Sequence, residues 1–313
     1  MKKVTVSVGI PAYNEEQNIA TIIKTILYQK QDSYKLEKIY VVCDGCTDKT
    51  PEIVKELSKK HKEITLIERN IRAGKVGALN KIYKTNKSDY ILTIDADLVF
   101  AKKDDIENLV RVITGDKNLN FVGPRHIAVK PKSVMGMFAY VSYTSFEEAF
   151  LKINNGNNFY AVMGAYLLRK EFSKKIKYPK YAQADQTILY AMATRKSKYS
   201  PLGHKGGFRF VPDAAVLFRT VTTFQDWRIL GTRSVISDKA NTASYFGEGI
   251  LDEYYMPRQL FILSLIKWFF RSPFYTVGSI LMNVYIRKFP LKGKMPEKGM
   301  WETTMSSKEA ISI

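Results

Sequence analysis

Histidine and cysteine are scarce in this 313-residue chain, with three of the first and two of the second. Two cysteines cannot staple a chain of this length, which excludes a disulfide scaffold and makes a reducing compartment the default. Three histidines argue against a histidine-built metal centre and weaken any Ser-His-Asp proposal, leaving carboxylates as the expected chemical actors. The opening stretch MKKVTVSVGIPAYNEE has only a short apolar run, broken by Pro11, and no small-residue cleavage site, so it reads as a first strand and not as a signal peptide. Acid is also short: 30 Asp and Glu stand against 49 Lys and Arg, a formal charge of +19. Such an excess attracts nucleotide phosphates, nucleic acid or an anionic membrane leaflet, unless it merely reflects a lysine-rich proteome. Zinc-finger, basic-zipper and aromatic RNA-binding patterns are missing, so nucleic acid is not an expected partner.

What is present is the composition of a folded chain, 45% hydrophobic and 25% charged. No repeat, low-complexity block or long linker divides it before the C-terminal tail. The β-branched run Val4 to Ile10 predicts a strand, and Asn14 with Gln17 predicts a capping box opening a helix from about Glu15 to Gln29. Strand Lys38 to Cys43, a helix with Pro51 in its first turn, strand Ile64 to Glu68, helix Lys75 to Tyr83 and strand Tyr90 to Ile94 follow. This alternation predicts an α/β fold with a mostly parallel central sheet and helices on both faces. From about Pro131 to Asn158 a Met-, Phe- and Tyr-rich stretch reads as an insertion over the sheet. After it come a strand in AVMGAYLLR, a helix around Ala184 to Ala193, a strand in FRFVPDAAVLF and a helix from about Phe224.

In open α/β sheets, ligands bind beyond the carboxyl ends of the strands, and the polar clusters fall there. Pro11-Ala12-Tyr13-Asn14-Glu15 follows the first strand, Asp44-Gly45 the second and Asp95-Ala96-Asp97 the fourth. Two carboxylates one residue apart at the end of the apolar strand YILTI repel each other and resist desolvation. A hard divalent cation held partly by carboxylate and partly by substrate phosphates would neutralise them. Cys43 and Cys46 form a C-x-x-C without a second ligand pair, better explained by small residues at a strand–turn junction. Gly74-Lys75 lacks the Ser or Thr and the first glycine of a phosphate loop. His126 and His204 read as structural or exposed.

The ordered series IPAYNEE, VVCDGCTD, GKVGALN, TIDADL, GAYLLRKEF and ADQTILYAM, from about Val4 to Arg233, resembles the inverting nucleotide-sugar glycosyltransferases of family 2, with their GT-A fold. The resemblance implies a non-processive, metal-dependent transferase. On that basis Pro11, Tyr13 and Glu15 line the nucleobase and ribose, Asp44 recognises the base and Lys75 lies near the nucleotide. Asp95 engages the sugar and ribose, Asp97 anchors Mg2+ or Mn2+ on the donor diphosphate, and Asp185 is the general base. Gly164, Ala165, Trp227, Arg228 and Arg233 are expected on the acceptor or diphosphate side. Asp44 would accept from a ring N–H, which places UDP first and GDP second.

The chain departs from the family pattern in three places. Gln183-Ala184-Asp185 lacks the acid that usually precedes the base. Only Arg233 of the processive Gln-x-x-Arg-Trp survives in Leu230-Gly231-Thr232-Arg233-Ser234. Cys43 replaces the first acid of an Asp-Asp doublet. Residues 1–240 are expected to form the catalytic domain, with a nucleotide-binding half (1–123) and an acceptor half (124–240). Residues 241–313 are expected to form amphipathic membrane-associating helices and a tail. QLFILSLIKWFF, at about a dozen residues, is too short to span roughly 30 Å of hydrocarbon. It and PFYTVGSILMNVYIRK, flanked by Lys, Arg, Trp and Tyr, suit the headgroup boundary of the cytoplasmic leaflet, ahead of an ordinary core pair or a tilted spanning hairpin. The expected partners are therefore a nucleotide sugar, a lipid-linked or glycan acceptor and a membrane surface. The alternatives are a catalytically silent sugar-nucleotide or glycan-binding protein of the same fold, and a nucleotidyltransferase.

Overall fold

A computed structural model describes residues 3–180, 182, 184–233, 238–289 and 304–311. Gln183 and Ser234, cited among the family departures, lie outside the described residues. In the first half, strands β1 (Val4–Ala12), β2 (Tyr34–Asp44), β3 (Ile64–Arg69) and β4 (Tyr90–Ile94) alternate with helices α1 (Ile19–Leu27), α2 (Thr50–Lys60) and α3 (Lys75–Thr85). Short β5 (Val99–Phe100), α4 (Asp105–Gly115), β6 (Phe121–Val129) and α5 (Val134–Phe150) follow. Next come β7 (Ala165–Arg169), α6 (Lys170–Lys175), α7 (Asp185–Thr194), β8 (Phe208–Arg219) and α8 (Phe224–Thr232).

The eight strands form one sheet in the order β3-β2-β1-β4-β7-β6-β8-β5. β1 runs parallel to both neighbours, with Val8 opposite Ile39 on β2 and Leu92 on β4. β7 is antiparallel to β4 and to β6, and β6 runs parallel to β8. One face is sealed by Ile19, Ile22 and Ile26 of α1 and by Leu109 and Ile113 of α4. The other is sealed by Leu79 and Ile82 of α3, Phe172 of α6 and Ile188 and Leu189 of α7. The layered α/β expectation therefore holds: strands buried on both faces read as continuous apolar runs, as β4 does in YILTI. Chain order reverses between β1 and β4, which opens a crevice beyond their carboxyl ends.

Two local expectations are corrected. The first helix starts at Ile19 after Asn18, not near Glu15. Asn14 adopts a left-handed backbone (φ 52°) and does not cap a helix. Its Oδ1 accepts from the Thr47 N–H, while the Glu15 and Glu16 N–H groups donate to Thr50 and Asp48. Tying this segment to the β2–α2 loop satisfies the donors that a helix start would leave free, so the turn displaces the capping box. The supposed insertion from about Pro131 is mainly the regular helix α5, whose Ser133 caps the Gly136 N–H. Its aromatic residues pack on three sides, which hides the amphipathic period that a surface helix would show.

Beyond α9 (Asp238–Phe246), helices α10 (Arg258–Arg271) and α11 (Pro273–Lys288) pack on α5. Lys267 pairs with Glu148 at 2.9 Å, and Asn283 donates to the Ser142 hydroxyl at 2.9 Å. Their outer surface leaves Leu263, Phe270, Phe274, Leu281, Val284 and Phe289 exposed. Among the described residues no helix is long and apolar enough to cross a membrane.

Candidate active site

The crevice holds a cavity of about 560 Å³ lined from the ends of β1, β2, β4 and β8 and the starts of α3 and α7. Pro11, Tyr13, Glu15, Asp44, Lys75, Asp95, Asp97, Gly164, Asp185, Trp227 and Arg233 all reach it. Ala165 and Arg228 do not. Ala165 is buried within β7 opposite Ile94, and Arg228 turns back over the Phe224 ring. Eleven of the thirteen residues singled out from the sequence thus share one wall or another of a single cleft, although they span more than two hundred positions.

Lys75 is the electrostatic hinge of the cleft. It is the first residue of α3, where a cation faces the positive end of the helix dipole, and carboxylates hold it there. Its Nζ lies 2.8 Å from Asp95 Oδ2 and 2.9 Å from Asp185 Oδ2. Burial works against the charged ammonium, yet Asp185 and Asp95 outweigh it and hold the Lys75 pKa above its ordinary value. Asp185 opens α7, where the dipole favours a carboxylate.

Asp95 and Asp97 are both held back from ionising. Burial pushes Asp95 up to about 6 despite Lys75, with Asp97 and Asp185 adding to the rise. Burial and then Glu15 push Asp97 to about 6, opposed by Lys75 and Lys308. The Asp95 N–H donates to the Gly164 carbonyl at 2.8 Å. A Cβ on Gly164 would stand 2.5 Å from Asp95 Oδ2, so this position requires the bare backbone.

Asp44 is placed differently from a free base-reading carboxylate. Its oxygens accept from the Ala73 and Gly74 N–H groups, at 3.1 and 2.7 Å, and lie 3.4 Å from Arg69 Nε. It thereby shapes the loop that delivers Lys75. Arg72 from the same loop stacks on the Tyr13 ring at 3.7 Å.

No group of three or more His, Cys, Asp or Glu side chains among the described residues forms a metal cage. The donor set instead suits an ion that brings phosphate ligands with it: a few hard carboxylate oxygens, mutually repelling and half-desolvated. Cys43 and Cys46 are free thiols, and the contact with Cys46, followed by burial, raises the Cys43 pKa.

Several lining residues escaped the sequence reading. His126 is buried in the wall, and burial lowers its pKa to about 3, which keeps the ring neutral. Arg72, Arg219, Thr220 and Lys308 also line the cleft. Arg72 lies three residues before Lys75 and was within reach of motif reasoning. Lys308 carried no sequence signal.

The fold is that of the GT-A nucleotide-sugar transferases. A mannosyltransferase from Pyrobaculum calidifontis, solved with GDP-Man and Mn2+, superposes with a TM-score of 0.58 at 17% identity, over 93% of this chain and 88% of that one. Glucosyl-3-phosphoglycerate synthase from Mycobacterium tuberculosis, solved with Mn2+, UDP-Glc and phosphoglyceric acid, gives 0.54 at 18%, over 78% and 80%. Residues 7–176 match the model of Glycosyl transferase family 2, and the chain belongs to that family. Among its relatives, a beta-monoglucosyldiacylglycerol synthase from Nostoc sp. is 34% identical over 94 residues, 29% of this chain and 20% of that protein. The poly(ribitol-phosphate) beta-glucosyltransferase of Bacillus spizizenii is 33% identical over 93 residues, 29% of this chain and 14% of that protein. The matches therefore span a fifth or less of the length of these relatives.

Proposed function

We propose that this protein is an inverting glycosyltransferase that moves one sugar from a nucleoside diphosphate sugar to an acceptor hydroxyl or phosphate. The observation that carries the reading is the meeting of Asp95, Asp97 and Asp185 around Lys75 in one cleft. In this reading the base lies against Pro11, Tyr13 and the loop braced by Asp44, with UDP favoured over GDP. Asp95 takes hydroxyls of the donor. Asp97 would hold Mg2+ or Mn2+, which when bound offsets the charge that builds on the departing diphosphate.

Asp185 acts as general base. It accepts the acceptor proton as the new bond to the anomeric carbon forms and the bond to the diphosphate oxygen breaks, with its electron pair leaving on that oxygen. Attack from the face opposite the leaving group inverts the anomeric configuration. Lys75 bridges Asp185 and Asp95 and fixes the two carboxylates relative to each other. Gly164, Trp227 and Arg233 shape the acceptor side, together with the apolar Ala139, Met163 and Val221.

A lipid-linked acceptor and in-plane attachment to an anionic, cytoplasmic leaflet complete the reading. The exposed apolar residues of α10 and α11 are flanked by Arg287 and Lys288 at the end of α11 and by Lys267 and Arg271, which pair with Glu148 of α5. An apolar groove of about 550 Å³, lined by Phe138, Phe274, Val277 and Leu281, runs beside α5, which also lines the cleft. Residues 1–240 would then be the catalytic domain and the rest the attachment region.

The test is a panel of UDP- and GDP-sugars with Mn2+ and polyprenyl phosphate or glycolipid acceptors, read by nucleoside diphosphate release. Release by wild type but not by Asp185→Asn supports the reading. Equal inactivity of both favours a silent binding protein, and pyrophosphate release favours a nucleotidyltransferase. Failure to sediment with anionic liposomes would overturn the attachment.

A further inference from the structure

Residues 304–311 cross the mouth of the cleft and are bonded to both of its banks. On the donor bank, Lys308 Nζ lies 2.6 Å from Glu15 Oε1 and donates to the Tyr13 and Asn14 carbonyls at 2.6 and 2.9 Å. The Lys308 carbonyl in turn accepts from Asn18 Nδ2 at 2.7 Å. On the opposite bank, Asp226 accepts from the Ser306 N–H at 2.8 Å and the Met305 N–H at 3.3 Å. The Thr222 N–H donates to the Ser306 hydroxyl at 3.0 Å, and Arg219 donates to the Ala310 carbonyl at 2.6 Å. Thr304, Ser307 and Lys308 form part of the cavity wall itself.

We propose that this segment is a strap that completes the donor site, with Lys308 as the positioning residue that makes its acidic bank tolerate a polyanion. The inference rests on the donor reading of the cleft. Charge accounting motivates it. Lys75 is committed to Asp95 and Asp185, which leaves Glu15 and Asp97 to repel an incoming diphosphate. Lys308 is the ammonium bonded to Glu15, and it also acts on Asp97. With all three of its N–H donors engaged, Lys308 is fixed in place and presents a stationary positive charge beside Glu15 and towards Asp97, the carboxylate read as the anchor of the diphosphate ion.

Binding of UDP, GDP and uridine in the presence of Mn2+, measured by calorimetry on the full chain, tests this. Lys308→Met is expected to weaken UDP or GDP binding about tenfold or more, because Glu15 and Asp97 then face the diphosphate without that positive charge, while uridine affinity stays the same. Lys308→Arg should recover most of the loss. Asp226→Ala, which releases the other end of the strap without touching its charge, should weaken nucleoside diphosphate binding to a smaller degree. Amide exchange in 304–311 is expected to slow when UDP and Mn2+ are added. Unchanged or tighter UDP binding by Lys308→Met, or faster exchange on adding nucleotide, would overturn the strap and identify the segment as a plug. Equal weakening of uridine and UDP would reduce Lys308 to a purely structural tie. A wild-type protein that binds neither UDP nor GDP would overturn the donor-site reading itself.

Discussion

Asparagine in place of Asp97 is expected to stabilise the ion-free protein at neutral pH while ending turnover. The Asp97 carboxyl is pushed from its ordinary 3.8 up to about 6, by burial first and by Glu15 second, with Lys75 and Lys308 opposing. A carboxyl whose folded pKa lies above its unfolded value binds protons on folding, so its contribution is full below about pH 4 and is lost as pH rises through about 6. A gap of about two pH units corresponds to about 3 kcal/mol, at roughly 1.4 kcal/mol for each. Screening by water at the cleft reduces this to roughly 1–2 kcal/mol. Asp97→Asn removes the charge and keeps the shape. In chelator at pH 7.5 the variant should therefore gain roughly 1–2 kcal/mol, or a few degrees in Tm, and near pH 4 the gain should vanish. Urea denaturation between pH 4 and 8, run beside a transfer assay with Mn2+, measures both halves. An Asn variant less stable than wild type at pH 7.5, or a gain that persists unchanged at pH 4, would refute the account of a charge held against its preference.

Three further outcomes follow from the same cleft. Asp185→Asn should lower kcat by about a thousandfold, within the range of a lost general base, with donor affinity in calorimetry unchanged. Lys75→Met removes the ammonium that opposes the rise at Asp95, already at about 6, so the acid limb of the pH–rate profile should move to higher pH by about one unit or more. A limb that stays in place would show that Lys75 does not control these carboxylates. Gly164→Ala puts a methyl group 2.5 Å from Asp95 Oδ2 and 3.0 Å from Leu98, and should cost about 1–3 kcal/mol in denaturation together with most of the donor affinity.

The parts of the site that motif order exposed are those carried at strand ends. Tyr13, Asp44, Asp95 and Asp97 each follow an apolar run whose burial decides where the chain must emerge, so their rim position is legible from a local pattern. Asp185, the first residue of α7, follows no apolar strand and was legible only through the family resemblance. Arg228 was misplaced because adjacent helix positions point about 100° apart: Trp227 turns inward and Arg228 folds over Phe224. The Asn14 cap failed because a partner thirty-three residues away, Thr47, claimed its side chain. Helix α5 was unreadable as a helix because it is covered by β6, α10 and α11 together and so lacks a polar face.

Apolar periodicity acts between near neighbours, and so the sequence by itself determined the alternating α/β plan, the carboxylates at the strand ends and the shortness of the two apolar helices. Tertiary structure alone decided the charge pairing: which carboxylates Lys75 bridges, how far Asp95 and Asp97 are kept from ionising, and that Lys308 closes on Glu15 across nearly the whole chain. Those are distance-dependent interactions between remote positions. Their strength follows from burial and separation in space, and neither quantity is written in the spacing of residues along the chain.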